Sequence, residues 1–304
     1  MEGFLSVKEV LKKYIEGCRA KVEMSSNQLF GKAILAGAMI AMGAAASSVA
    51  AHTIPDVGVA RLAAAVVFPV GLMMVILLGA ELFTGDCLAV MSVLDGKQKI
   101  RDIMRLLFIV YIGNFFGATL LAFLVSMSGQ LDYSAGMLGA YTIKVALGKV
   151  NISFTQGVVS GILCNILVCA AVLMAMCAKD VTGKIIAIFF SIMLFVTAGF
   201  EHCVANMYYI TAGILAKNIP EYANLAMQEY GYTLEQINNL NYISYVFYNL
   251  LPVTIGNILG GIVFVGVPML GLNTDKVLSI KNMWKKEEKA NVITYSRMHA
   301  DTTH

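Results

Sequence analysis

The sequence predicts an all-α membrane protein with six transmembrane segments in two inverted three-helix repeats, with segments 2 and 5 broken. Three observations lead to this prediction. Hydrophobic residues make up 58% of the 304 residues and charged residues only 13%, whereas soluble domains average about 25% charged. Apolar stretches of about 20 residues, long enough for a helix to cross a bilayer, recur along the chain. Short motifs of the first half return in the same order in the second half.

The first 27 residues have the pattern of an amphipathic helix and are not expected to be a signal peptide. One helical face is apolar and consists of Phe4, Val7, Leu11, Tyr14, Ile15 and Cys18. The opposite face is charged and consists of Lys8, Lys12, Lys13 and Glu16. Such a helix lies near a membrane surface or a partner, or it packs on its own protein. The sequence leaves both arrangements open.

The six apolar segments are placed at residues 28–50, 60–94, 104–128, 154–178, 184–216 and 247–272. Of the 22 Lys and Arg residues, 18 lie in flanks and loops on the same side as the N terminus. Basic residues accumulate on the cytoplasmic side of a membrane protein. We therefore expect a multi-pass protein of the plasma (inner) membrane with three parts: a cytoplasmic helix at 1–27, a transmembrane domain at 28–272 and a cytoplasmic tail at 273–304.

Segments 2 and 5 are too long for one straight crossing, and each has polar residues near its middle. The sequences there are GAELFTGDC at 79–87 and GFEHCVAN at 199–206. A long span interrupted by glycine and charged groups is typical of a broken helix. Its unpaired backbone groups are tolerated in a membrane only where they line a cavity or pack against protein.

The two breaks occupy corresponding places in an internal repeat. We align Phe30 and Gly37 with Phe154 and Gly161, 79–82 with 199–202, and 112–117 with 255–260. Because each half has three spans, the halves must insert in opposite orientations. Inverted repeats with paired broken helices indicate a transport pathway near the middle of the membrane.

The glutamates of the two breaks are expected to be structural. Glu81 is expected to accept hydrogen bonds from free N–H groups and to hold the first break in shape, since Leu82 and Phe83 beside it are apolar. Glu201 has two open alternatives, the same role or an ion pair with a lysine.

A polar pathway is predicted around the second break. His202 lies within a turn of Asn206, and the unperturbed pKa of histidine is near neutrality, so it is suited to pass a proton to a weak acid. Thr84 offers a hydroxyl from the other break. Asn165 either joins this network or hydrogen-bonds between helices. Lys149 is either an interfacial lysine or a charge that concentrates anions at a pore mouth.

No metal, cofactor or enzymatic activity is expected. The six cysteines form no CxxC pair, and three of them share one predicted helix, so we interpret them as structural. Acidic, histidine and cysteine residues of the breaks lack the HExxH spacing of a metalloenzyme. A membrane-embedded metalloenzyme is the weaker alternative.

Across nearly the whole membrane region the chain resembles the formate/nitrite transporter family. The motifs are QLFGKAILAG, GAELFTG, GNFFGATLL, GILCNILVC, GFEHCVANM and LPVTIGNILGG. The resemblance implies an aquaporin-like protomer with its own pore, assembled as a homopentamer. It implies a central histidine at His202, Asn165 and Asn206 around it, and a vestibule lysine at Lys149. It also implies apolar constrictions, which fall on Phe68, Leu72, Leu82 and Phe195.

The resemblance further implies that a small monovalent anion, either formate, nitrite or hydrosulfide, crosses together with protons. Apolar rings exclude hydrated ions, and His202 is expected to donate a proton so that the permeant crosses as a neutral acid. An aquaporin-like channel for neutral solutes is the alternative, although the paired Asn-Pro-Ala motifs are absent from the sequence.

Overall fold

A computed structural model describes residues 3–273, and helices make up nearly all of this part of the chain. In the described residues, six helices or helix pairs are long and apolar enough to cross a membrane: Ser26–Ala51, Val57–Leu78, Ile100–Met127, Phe154–Cys177, Val181–Ala198 and Tyr242–Asn273. They agree with the six predicted segments. The predicted C-terminal tail lies, from residue 274 onward, outside the described residues.

The helices are numbered in chain order. They are α1 Val7–Glu23, α2 Ser26–Ala51, α3 Val57–Val67, α4 Val70–Leu78, α5 Phe83–Leu94, α6 Ile100–Met127, α7 Met137–Val150, α8 Phe154–Cys177, α9 Val181–Ala198, α10 Cys203–Lys217, α11 Pro220–Tyr230, α12 Leu234–Asn238 and α13 Tyr242–Asn273. Helix α7 was not predicted from the sequence, because its 14 residues are fewer than a membrane crossing needs.

The N-terminal helix α1 packs on its own protein. Ser6 and Glu9 form a capping box that starts it. Its inner face buries Val10, Leu11, Tyr14, Ile15 and Cys18. The middle of the predicted apolar face is therefore buried, whereas Phe4 and Val7 at its start are exposed. The Leu5 N–H also donates to the Cys177 carbonyl at 2.8 Å, which ties the start of α1 to the end of α8.

Both predicted breaks are present, and both are made by glycine. Gly79 ends α4 with φ of 69° and Gly199 ends α9 with φ of 73°. This left-handed conformation is open to glycine and strained for other residues. The chain then runs extended for a few residues before α5 begins at Phe83 and α10 begins at Cys203. Each break therefore leaves free backbone groups inside the protein.

Equivalent asparagines satisfy these free groups. Asn114 on α6 accepts from the Phe83 N–H at 2.9 Å and donates to the Glu81 and Ala33 carbonyls at 3.0 and 2.8 Å. In the second half, Asn257 on α13 accepts from the Cys203 N–H at 2.9 Å. It donates to the carbonyls of Glu201 and Gly161 at 3.0 and 2.8 Å.

These hydrogen bonds define the register of the repeat. They confirm the alignment of 79–82 with 199–202 and of 112–117 with 255–260. They pair Ala33 with Gly161, so the proposed alignment of Gly37 with Gly161 is wrong by four residues, about one helical turn. The N-caps Ser25 and Ser153 agree with the new register.

Glycine lets the first and third helix of each repeat approach closely. A Cβ atom on Gly117 of α6 would lie 2.0 Å from the Ile34 carbonyl oxygen of α2. A Cβ atom on Gly256 of α13 would lie 2.1 Å from the Val158 carbonyl oxygen of α8. Small residues at such contacts are the usual way in which membrane helices pack, since no hydrophobic effect drives them together in lipid.

Candidate transport pathway

A cavity of about 150 Å³ lies beside the second break. Six of its lining residues are Phe68, Lys149, Phe195, His202, Asn206 and Tyr209. The structure therefore brings five of the predicted site residues to one space. Thr84, Asn165, Glu201, Leu72 and Leu82 are not among the residues that line it. All five are buried, and two of them contact its wall, Thr84 through His202 and Glu201 through Lys149.

His202 connects the two breaks. It is the N-cap of α10, and its Nδ1 accepts the Ala205 N–H at 3.1 Å. Its Nε2 lies 3.0 Å from the Thr84 hydroxyl of the first break. Because Nδ1 is an acceptor, a neutral ring carries its proton on Nε2 and donates it to Thr84. The side chain is only 3% exposed, so these contacts fix its tautomer and its orientation.

Lys149 and Glu201 form an ion pair next to the cavity. The Lys149 ammonium lies 3.0 and 3.2 Å from the two Glu201 carboxylate oxygens. Asn206 and Asn249 also donate to that carboxylate, at 2.6 and 3.2 Å. Of the two roles left open for Glu201, the structure shows the pair with a lysine. The ammonium also lies 5.2 Å from the centre of the Tyr209 ring.

The first break carries a matching ion pair. Lys21, at the end of α1, contacts Glu81 at 2.6 Å and Asp86 at 2.5 Å. Lys21 precedes the N-cap Ser25 by as many residues as Lys149 precedes Ser153, so the two lysines are equivalent in the corrected register. Asp86 aligns with Asn206. The first pair therefore includes one carboxylate more than the second.

The role expected for Glu81 falls on other residues. Its carboxylate is bound to Lys21, and Asn114 accepts the backbone N–H of the first break. The physical reason is geometric: an amide can accept one N–H and donate to two carbonyls, whereas an ionised carboxylate can only accept. Glu81 still stabilises the break, but through the N-terminal helix.

Asn165 positions the pathway rather than lining it. Its amide nitrogen donates to the Thr84 carbonyl at 3.1 Å and to the Asn257 carbonyl at 2.6 Å. The Cys169 thiol approaches the same Thr84 carbonyl at 3.5 Å. Asn165 thus fixes the loop that holds Thr84 against His202. Of the alternatives for Asn165, the structure favours hydrogen bonding between helices.

Apolar rings narrow the space next to His202. The Phe68 and Phe195 ring centres are 5.6 Å apart in an edge-to-face contact, and the Phe195 ring stacks on the His202 ring at 6.0 Å. Leu72 and Leu82 are buried, with 2% and 4% of their surface exposed. The aromatic pair therefore lies in the wall of the cavity beside the histidine.

Four polar residues of this network were not predicted from the sequence: Asn114, Asn257, Asn249 and Lys21. Asn114 and Asn257 occupy the same place in the repeated Ile-Gly-Asn motif, and that recurrence was a usable signal. A shared spacing to the N-cap serine would also have found Lys21. Asn249 has no counterpart asparagine in the first half of the repeat, so nothing in the sequence indicates its contact with Glu201.

Six crossings, two interrupted segments and a buried polar network between the interruptions define a helical membrane transport protein of the inverted-repeat class. The sequence pattern of the formate/nitrite transporter family matches residues 8–271. This chain belongs to the formate/nitrite transporter family.

Individual relatives agree with this assignment. The chain is 37% identical to the formate channel FocA of Haemophilus influenzae, over 69% of this chain and 73% of that protein. It is 34% identical to a probable formate transporter of Methanothermobacter thermautotrophicus, over 82% and 92%. A solved pentameric formate channel with formate bound superposes with a TM-score of 0.71 and 33% identity, over 80% of this chain and 95% of that one.

Proposed function

We propose that this protein conducts a small monovalent weak-acid anion, with formate as the first candidate and nitrite and hydrosulfide as competitors. The carrying observation is the cavity in which a fixed histidine, an ion-paired lysine and two phenylalanine rings meet. The polar groups attract and orient an anion, and the rings exclude its water shell. The names of the relatives support formate.

The proposed mechanism requires His202 to gain a proton before it gives one. The neutral ring has only the Nε2 proton, and losing that proton would leave an anionic ring in an apolar site. A proton arriving from the cavity at Nδ1 displaces the Ala205 N–H and creates an imidazolium. The imidazolium then gives its Nε2 proton to the anion instead of sharing it with Thr84, and the permeant leaves as the neutral acid. The ring is left neutral with its proton on Nδ1, and exchange of that proton to Nε2 restores the starting tautomer. One proton and one anion cross together.

We further propose a homopentamer in the plasma membrane with both termini in the cytoplasm. The pentameric neighbour supports the assembly, and the distribution of basic residues supports the topology. Apolar side chains exposed on the outer faces of α6 and α13, among them Phe108, Phe116 and Phe264, would face lipid or a neighbouring protomer.

Flux into proteoliposomes, measured in parallel for formate, nitrite, hydrosulfide and glycerol, tests the permeant. We expect flux of at least one of the three anions and none of glycerol. Glycerol flux without anion flux would instead support the aquaporin-like alternative.

The His202→Phe variant tests the proton step, with anion uptake and internal pH recorded together. We expect anion-linked acidification to disappear in this variant. Wild-type coupling in the variant would refute proton donation by His202 and leave the assignment of the permeant untouched.

A further inference from the structure

The net charge at the outer mouth of the cavity does not come from Lys149. Four basic residues belong to the predicted outer side: Arg61, Lys144, Lys149 and Lys217. Glu201 balances the charge of Lys149 at 3.0 Å. The Lys144 ammonium lies on the Tyr230 ring, 4.4 Å from its centre. Lys217 is in the last turn of α10. Arg61 is the one of these four whose charged group lies against Gly199, a residue that lines the cavity, and no carboxylate pairs with it within residues 3–273.

Arg61 stands above the cavity on the face of α3 that lines it. Ala64 and Phe68 both line the cavity, and Arg61 precedes them by three and seven residues, which places all three on one helical face. The Arg61 side chain is exposed. Within residues 3–273 no carboxylate oxygen lies within 4.0 Å of its guanidinium.

The guanidinium lies directly on the second break. A Cβ atom built on Gly199 would be 2.4 Å from the Arg61 Nη1 atom and 3.2 Å from its Cζ. Gly199 lines the cavity together with Tyr141. A glycine at this position therefore serves two needs, the left-handed turn and the space for the arginine.

We propose that Arg61, which lies against Gly199 in the wall of the cavity, is an outer capture site that binds planar oxyanions such as formate or nitrite before they enter the cavity. Guanidinium presents two parallel N–H donors that match two oxygens on one centre. Hydrosulfide has a single sulfur atom and cannot place a separate acceptor opposite each donor. The inference rests on the proposed function and deepens it, since it assigns to this pore a preference for planar oxyanions over hydrosulfide.

Three variants test the site in proteoliposomes: Arg61→Gln, Arg61→Lys and the control Lys144→Gln. Lys144→Gln removes a charge from the same side of the protein and near Tyr141, whose ring centre is 5.7 Å from the Lys144 ammonium. The measured quantities are maximal flux and the half-saturating concentration, for formate and for hydrosulfide, at low and at high salt.

We expect Arg61→Gln to raise the half-saturating formate concentration about threefold to fivefold, the effect of an exposed ion pair, with maximal flux unchanged. High salt should reduce this difference. Arg61→Lys keeps the charge but loses the paired donors. The half-saturating concentration of this variant should equal that of wild type for hydrosulfide and should lie between those of wild type and Arg61→Gln for formate. Lys144→Gln should match wild type.

Several results would overturn the inference. The capture site would be refuted if Arg61→Gln and Lys144→Gln had the same half-saturating formate concentration. A lower thermal unfolding temperature with unchanged half-saturation would show that Arg61 only stabilises the end of α9. Equal effects on formate and hydrosulfide would refute oxyanion selectivity. Wild-type vesicles that conduct no anion would refute the proposed function itself, which separates that failure from the others.

Discussion

Removing the amide of Asn257 should destabilise the second break strongly. In Asn257→Ala, the Cys203 N–H and the Glu201 carbonyl lose their partners, which now lie at 2.9 and 3.0 Å. Neither group has a helical partner, because both belong to the break, whereas the Gly161 carbonyl keeps its bond within α8. A buried polar group without a partner costs about 1–3 kcal/mol.

The two orphaned groups therefore predict a loss of about 2–6 kcal/mol in the free energy of unfolding. The free energy of unfolding of folded proteins is about 5–15 kcal/mol. A loss of this size is therefore easily measured by unfolding the purified protein with SDS in mixed micelles. Asn114→Ala removes the equivalent bonds of the first break and should lose a similar amount. The matched control is Asn224→Ala, on the exposed face of α11, which should stay within about 0.5 kcal/mol of wild type.

Unfolding of Asn257→Ala at the same SDS fraction as Asn224→Ala would refute a bracing role for the amide. A loss in only one of the two asparagine variants would refute it as well, because the structure gives Asn257 and Asn114 equivalent hydrogen bonds. A large loss in both variants, with the control unchanged, would show that the two amides hold the breaks.

Two further predictions concern packing and charge. Lys21→Met leaves two buried carboxylates without their cation and should lower the free energy of unfolding by about 3–5 kcal/mol in the same assay. The control Lys13→Met, at an exposed position, should leave it unchanged. Equal effects of the two variants would contradict a buried ion pair. Gly117→Ala forces a Cβ atom to 2.0 Å from a backbone oxygen and should cost at least about 1–3 kcal/mol. Gly148→Ala, with no atom within 4 Å of the new Cβ, should be neutral or stabilising, and a Gly117 variant as stable as this one would refute the close approach.

The breaks were predictable because their signals are local. A glycine followed two residues later by a glutamate, inside a long apolar span, is typical of an interrupted helix, and Gly79 and Gly199 both end their helices as expected. These features depend on one segment at a time.

The register of the repeat and the ion pairs were harder because they depend on contacts between distant segments. The seven-residue step shared by Phe30–Gly37 and Phe154–Gly161 was a coincidence that a chain with 27 glycines allows. Lys21 and Glu81 are 60 residues apart in sequence, yet 2.6 Å apart in space. Hydrophobic periodicity describes one helix at a time and cannot indicate a contact between such distant residues. From the sequence, the nearby backbone N–H groups are therefore the expected partners of Glu81, and Lys21 is not.

Asn165 has a consequence for the kinetics of transport. Its one amide nitrogen holds the loop of the first break and the helix that braces the second, so the two halves cannot rock against each other without breaking buried hydrogen bonds. Exchange between inward-facing and outward-facing states would then be slow, since domain motions take microseconds to milliseconds. Rotation of a phenylalanine ring or of the Thr84 hydroxyl requires no such rearrangement. The maximal flux at saturating permeant should therefore exceed the turnover of a carrier whose halves must rock, as expected of a pore.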